Sequence, residues 1–195
     1  MAKRHTTGRP QSGRLRIVAG NWRSRLLRIA DVPGLRPSSE RIRETLFNWL
    51  APGIHGARCL DLYAGTGALG LEALSRGAKS AVFIEESARA VRTLQDNIRA
   101  LDAEGAVVLQ MDAMDYLDRK HSERFDVVFL DPPFAADLLE ESCRRLAKRD
   151  MLAEGGYIYL EQPRNKPEPY LPDGWHVLKN KTAGNVRYML VQQKA

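Results

Sequence analysis

The sequence predicts an α/β fold: a doubly wound, Rossmann-like, mostly parallel sheet, with a small N-terminal β-hairpin extension and a C-terminal antiparallel hairpin at one edge. Three observations carry this expectation. From Arg58 to Glu161 short apolar runs alternate with amphipathic stretches, the order that makes a parallel sheet covered by helices on both faces. The run Phe125–Leu130 is apolar between polar flanks, as a strand buried on both sides should be. Between the first strand and helix of the series stands Gly65-x-Gly67-x-x-Gly70, glycines spaced to let a cofactor approach the backbone at a helix N-terminus.

Residues 1–13 are polar and glycine-bearing and are expected to be disordered when free. Leu15–Val18 and Arg25–Ile29 flank Gly20-Asn21-Trp22 and read as a hairpin with arginines on its outer face. Pro33, Gly34 and Pro37 break the chain. Ser38 or Ser39 then caps a helix with Glu40 in its first turn and Ile42, Leu46, Trp49 and Leu50 as its buried stripe. Strands follow at Cys59–Tyr63, Ala81–Glu85, Val107–Met111, Phe125–Leu130 and Gly156–Glu161. Helices alternate with them at Ala68–Arg76, Ala88–Leu101, Ala113–Lys120 and Ala136–Lys148. Trp175–Lys181 and Val186–Gln193, separated by Ala183-Gly184-Asn185, form the edge hairpin. The expected organisation is a basic tail and hairpin over 1–35 and the sheet domain over 36–195.

The charge is lopsided. Residues 1–45 hold eleven Lys/Arg against three Asp/Glu, a net of +8, whereas the rest hold nineteen against twenty-one, so the +6 of the whole chain comes from one end. Arginine dominates there, and its flat fork suits phosphates and bases. Arg14, Arg16, Arg23, Arg25, Arg36, Arg41 and Arg43 are the candidate contacts to a nucleic acid. No apolar run is long enough to span a membrane, and no signal-peptide layout is present. Cys59 and Cys143 read as buried thiols of a reducing, cytoplasmic protein, and with the four histidines scattered no metal site is expected. A monomer is expected.

The loops carry the chemistry. Asp61, toward the end of the first strand of the series and beside the loop, would repel a pyrophosphate but favour a cofactor with positive charge, such as S-adenosylmethionine. Glu85 closes the next strand, where a ribose-binding acid belongs. Asp112, followed by Ala113, either caps the next helix or accepts from adenine's amine, and the two jobs are compatible. Asp131-Pro132-Pro133-Phe134 offers a carboxylate, a free carbonyl and a flat ring, the parts needed to grip a planar NH2-bearing group. The same junction also reads as a strand terminator with a capping Asp. Should the strands ending at Tyr63 and Leu130 be neighbours, roughly 4.8 Å apart, both loops would share the crevice where strand order reverses.

Asp61-x-x-x-Gly65-x-Gly67, the strand-ending Glu85 and Asp131-Pro132-Pro133-Phe134 together resemble the S-adenosylmethionine-dependent amino-methyltransferases. More narrowly, Leu35–Leu50, Leu60–Arg76 and Val127–Phe134 resemble the bacterial 16S rRNA guanine-N2-methyltransferases, which modify guanine-966. With the arginine-rich hairpin included, the resemblance covers nearly the whole chain. It implies a methyltransferase domain over 36–195 and an RNA-binding extension over 1–35. It also implies S-adenosylmethionine as donor, S-adenosylhomocysteine as product, and 16S rRNA, free or in an assembled small subunit, as partner. Asp61, Ala64, Gly65, Thr66, Gly67, Glu85, Asp112 and Ala113 would then bind cofactor, and Asp131, Pro132 and Phe134 would be catalytic. Ser38, Phe47 and Asn48 would form a lid over the cofactor. Glu85-Glu86-Ser87 departs from the pattern, which has a second acid two positions after the first.

In this scheme Asp131 and the Pro132 carbonyl accept the two N–H groups of the amine while Phe134 stacks on the base. Whether Asp131 also takes the proton is left open. Rivals stand beside it. N6-adenine methylation of DNA shares the Asp-Pro-Pro-Phe signature. A dinucleotide-dependent oxidoreductase shares the glycine spacing but leaves Asp61, the Pro-Pro loop and the basic arm unexplained. A non-enzymatic ribosome-assembly factor would have no need of an intact Asp131.

Overall fold

A computed structural model describes residues 13–32 and 38–194. Most of the tail expected to be disordered, and the candidate contact Arg36, lie outside the described residues. The chain opens with a two-stranded antiparallel hairpin, β1 (Arg14–Arg16) and β2 (Leu26–Arg28), in which Leu15 pairs with Leu27 and both are buried while their neighbours face outward. The strands are shorter than expected because Val18 and Ala19 turn away and donate their N–H groups to the Glu72 carboxylate. Gly20 sits at φ +83° with the Ser75 carbonyl oxygen 1.9 Å from where a Cβ would stand, so only glycine fits at that bend.

Helix α1 (Glu40–Leu50) follows, with the Ser39 hydroxyl accepting from the Ile42 N–H as N-cap. Its buried stripe is Ile42, Arg43, Leu46, Phe47 and Leu50. Trp49, expected in the core, is only half-buried and stacks on Tyr188 at 5.4 Å between ring centres.

The main sheet then builds in order through β3 (Arg58–Asp61), α2 (Ala68–Ser75), β4 (Ser80–Glu85), α3 (Ala88–Leu101), β5 (Ala106–Gln110), α4 (Ala113–Asp118), β6 (Phe125–Leu130), α5 (Leu139–Lys148) and β7 (Leu152–Pro163), closing with β8 (Trp175–Ala183) and β9 (Val186–Gln193). Strand order is β5-β4-β3-β6-β7-β9-β8. The first five strands are parallel, and β9 lies antiparallel between β7 and β8, so the terminal hairpin adds at the edge as predicted. Alternation along β6 sends Val127 and Phe129 into a cluster with the hairpin, α1, α2 and α3, and Val128 and Leu130 into a second cluster with α4 and α5. This is the Rossmann-like arrangement anticipated. Helix α5 begins at Leu139 rather than Ala136, because Asp137 at φ +52° interrupts the helical path after the proline pair. Both cysteines are buried free thiols. Among the described residues no helix is long and apolar enough to cross a membrane.

Candidate active site

Strand order reverses at β3. Its partner on one side is β4, next in sequence, and on the other β6, reached only after the chain has laid down β5 and crossed back. At such a reversal the loops on either side separate and leave a crevice at the strands' carboxyl ends. Asp61 lies level with Phe129, so the glycine loop after β3 and the Asp131–Phe134 loop after β6 flank the same crevice. The glycine loop stays stitched to its neighbours by Leu62 N–H to the Phe129 carbonyl (3.2 Å) and Ala64 N–H to the Ile84 carbonyl (2.9 Å).

Each glycine has its own reason. Gly67 caps α2 at φ +76°, and a Cβ there would stand 2.3 Å from Leu94 Cδ1. At Gly70 a Cβ would meet the Phe83 ring at 2.2 Å, so this glycine lets helix and strand pack closely. Gly65 donates its N–H to Glu85 Oε2 at 2.8 Å, while Glu85 Oε1 accepts from the Ser87 N–H at 2.7 Å. Ala64, Gly65 and Thr66 are buried and Glu85 is half-buried.

Asp61 is turned inward. Its Oδ2 accepts the Gly70 N–H at 3.0 Å, and burial pushes its carboxyl up to about 7, opposed by that hydrogen bond and reinforced by the Glu85 charge. Asp112 is the N-cap of α4: its Oδ1 accepts from the Met114 and Asp115 N–H groups, beside a buried Ala113. The capping role is therefore real for Asp112.

On the other side of the crevice Asp131 is half-buried, with Oδ2 accepting the Ser38 hydroxyl at 3.2 Å. Burial, then the nearby Glu161 charge, holds its carboxyl well above the usual range, with Ser38 opposing and Asp61 reinforcing. Pro132 is buried and Phe134 is 41% exposed, a free ring at the rim. A small cleft runs from Pro132 and Phe134 to Leu139 and to Glu161 and Pro163 at the end of β7.

One expected contact is corrected. Arg43 is not offered to a phosphate; it is 1% exposed, on the buried stripe of α1. Its guanidinium donates to Glu72 Oε2 (2.9 Å), the Arg16 carbonyl (2.7 Å) and the Ser38 carbonyl (3.3 Å), knitting α1 to the hairpin and α2. Burial lowers its pKa against the opposing pull of Glu72. Arg14, Arg16, Arg23, Arg25 and Arg41 are exposed. Phe47 lies beneath the surface, 5.9 Å from the Phe129 ring and with the Arg76 guanidinium 5.0 Å from its centre, while Asn48 is exposed. Glu161 was missed by sequence reasoning, although a signal was present: like β4, the β7 run was expected to end in an acid.

Over residues 15–192 the chain matches the family model described as Conserved hypothetical protein 95. It is 46% identical over 184 residues to Ribosomal RNA small subunit methyltransferase D of Escherichia coli (strain K12), spanning 94% of this chain and 92% of that protein. The protein of the same name from Haemophilus influenzae is 43% identical over 92% of this chain and 94% of its own length. Among solved structures, a putative methyltransferase, yhhF, from Escherichia coli superposes with a TM-score of 0.88 at 43% identity, covering 94% of this chain and 99% of that one. A putative methyltransferase complexed with SAH has the same fold at 16% identity, with a TM-score of 0.74 over 98% of this chain and 58% of that one.

Proposed function

The chain belongs to the Conserved hypothetical protein 95 family, and from that footing we propose that it methylates 16S rRNA, transferring a methyl group from S-adenosylmethionine to the exocyclic N2 of a guanine, by resemblance guanine-966. The observation that carries this reading is the pairing of β3 with β6, which brings the glycine loop and the Asp131–Phe134 loop to one crevice. The donor set supports the cofactor. Acids close β3 and β4 and follow β5, as Asp61, Glu85 and Asp112. Carboxyls in those positions suit a ribose diol, an adenine amine and a sulfonium, and disfavour a pyrophosphate. Ala64, Gly65, Thr66, Gly67 and Ala113 complete the cradle. S-adenosylmethionine would supply there an electrophilic methyl group carried on positively charged sulfur.

The rest is the work of the chain. Guanine's N2 lone pair is delocalised into the ring, so the nitrogen is a poor nucleophile until its hydrogens are fixed. Asp131 and the Pro132 carbonyl accept the two N–H groups and aim the lone pair across the crevice, and the exposed Phe134 ring stacks on the base. Asp131 then takes the proton that the nitrogen loses. A base in this position has left its stack, which costs least in an unpaired region of the RNA. The exposed arginines Arg14, Arg16, Arg23, Arg25 and Arg41 hold the surrounding phosphates, with Arg36 assigned by resemblance alone. Disrupting the gene and analysing 16S rRNA nucleosides by mass spectrometry tests the reading. One N2-methylguanosine should disappear and return with the wild-type gene but not with Asp131→Ala. An unchanged nucleoside profile would overturn it.

A further inference from the structure

A second buried acid stands beside the amine-binding loop and has no role in the scheme above. Leu130 of β6 is level with Leu160 of β7 in parallel register, so Asp131, the first residue past β6, stands beside Glu161, which is still within β7. Both point to the same face, because Phe129 and Tyr159, two residues earlier, belong to one hydrophobic cluster, and Leu130 and Leu160 to the other. Glu161 is 5% exposed and accepts the Tyr159 hydroxyl on Oε2 at 2.6 Å. Ser38 donates its hydroxyl to Asp131 and stands near enough to Glu161 to favour the ionised form of that acid as well. Facing the pair from the packed elements are Asp61 of β3, Tyr159 of β7 and, level with Glu161, Tyr188 of β9. Of the nearby cations, Lys166 is paired with Asp137, and Arg43 with Glu72.

We propose that Glu161 is a positioning residue for the methyl transfer: standing beside Asp131 on the neighbouring strand and held there by Tyr159, it acts on the amine through Asp131, whose carboxylate Ser38 orients. This rests on the amine-methylation reading. As the nitrogen–carbon bond forms, the carbon–sulfur bond breaks and its electron pair stays on sulfur. The nitrogen becomes cationic, and one of its protons passes to Asp131. A neighbouring negative charge raises the proton affinity of Asp131, which strengthens its hydrogen bond to the amine beforehand and its hold on the proton afterwards.

The test is the pH profile of methylation, using small ribosomal subunits from a strain lacking the enzyme. Glu161→Gln keeps size and an acceptor for Tyr159 but removes the charge. It should lower kcat about tenfold, leave the KM for S-adenosylmethionine unchanged, and move the acid limb of kcat/KM down by about one pH unit. Glu161→Asp should restore the limb toward wild type. Ser38→Ala removes the donor that favours ionised Asp131 and should move the limb upward. A Glu161→Gln enzyme with wild-type kcat and limb overturns the proposal. So does a fall in kcat with the limb unmoved and no rescue by Asp, which would mark Glu161 as merely structural. Should Glu161→Gln fail to fold by thermal melting, Ser38→Ala decides, and an unmoved limb there overturns it. A wild-type enzyme that methylates nothing removes the reading itself, a different failure.

Discussion

Glu72 and Glu161 are both buried acids next to the segment that starts α1, but their surroundings differ in kind. Glu72 receives the guanidinium groups of Arg43 and Arg76 and the N–H groups of Val18 and Ala19. Its charge is matched and its lone pairs are filled, so it ties the hairpin, α1 and α2 together. Glu161 receives the hydroxyl of Tyr159, and Asp131 beside it receives that of Ser38. Two acids and two hydroxyls keep a strong affinity for protons, and such an affinity at a cleft is what proton-handling chemistry uses. Burial alone therefore does not distinguish these two acids. The donor set does.

The contrast is broken or sharpened most forcefully by removing one member of each set. Asp131→Ala should cut methylation by about a thousandfold or more, with S-adenosylhomocysteine binding measured by calorimetry nearly intact and thermal stability at least equal to wild type. Arg43→Met should do the opposite. Removing one of the two cations on buried Glu72, together with the donors to the Arg16 and Ser38 carbonyls, costs about 3–5 kcal/mol, a fall in Tm of roughly 10 °C for a chain of this size, visible by calorimetric scanning. If Asp131→Ala melts as early as Arg43→Met, the two clusters play the same part and the distinction is lost.

Much of this was legible beforehand, and the exceptions have physical causes. Helix α3 was bounded correctly because Val91, Leu94, Ile98 and Leu101 repeat at helical spacing. The crevice was legible because strict alternation and a glycine loop leave few topologies. The burial of Arg43 was not: it lies in a run of exposed arginines, and composition reports charge, not depth. Its partner did leave a trace, since Glu72 is the one acid in the otherwise uncharged helix Ala68–Ser75, and a fully buried carboxylate needs a cation. Asp61 was placed correctly at a strand end, but its inward turn depends on the Gly70 N–H, a contact no spacing rule reports. Glu161 was hidden because its meaning comes from standing next to Asp131, and strand adjacency is a tertiary fact.

Asp61 extends the comparison to stability. Its carboxyl is raised to about 7 in the folded chain from an ordinary 3.8, so the folded state binds the extra proton between those values. Stability from this group is full below about pH 4 and is lost as pH rises through about 7, amounting to a few kcal/mol. Asp131 and Glu161 are shifted in the same direction. Asp61→Asn still accepts from Gly70 but cannot ionise. In urea unfolding of the cofactor-free protein, it should gain on wild type between pH 5 and pH 8. A difference that shrinks over that interval would mean the crevice acids are solvated like surface groups.

The smallest effects belong to the exposed arginines, and they sharpen the contrast with Arg43. Arg14 and Arg23 lie in the same basic segment but face water, so Arg14→Gln or Arg23→Gln should leave Tm within the error of a surface change. Each should weaken rRNA binding only a few-fold, and each should lower the slope of log affinity against log salt by about one. Filter binding across a salt series reads both numbers. A slope unchanged by both substitutions would put the phosphates on some other face of the molecule. It would also leave the net charge of the segment as solvation around a structural arginine, with no footprint for RNA in its exposed members.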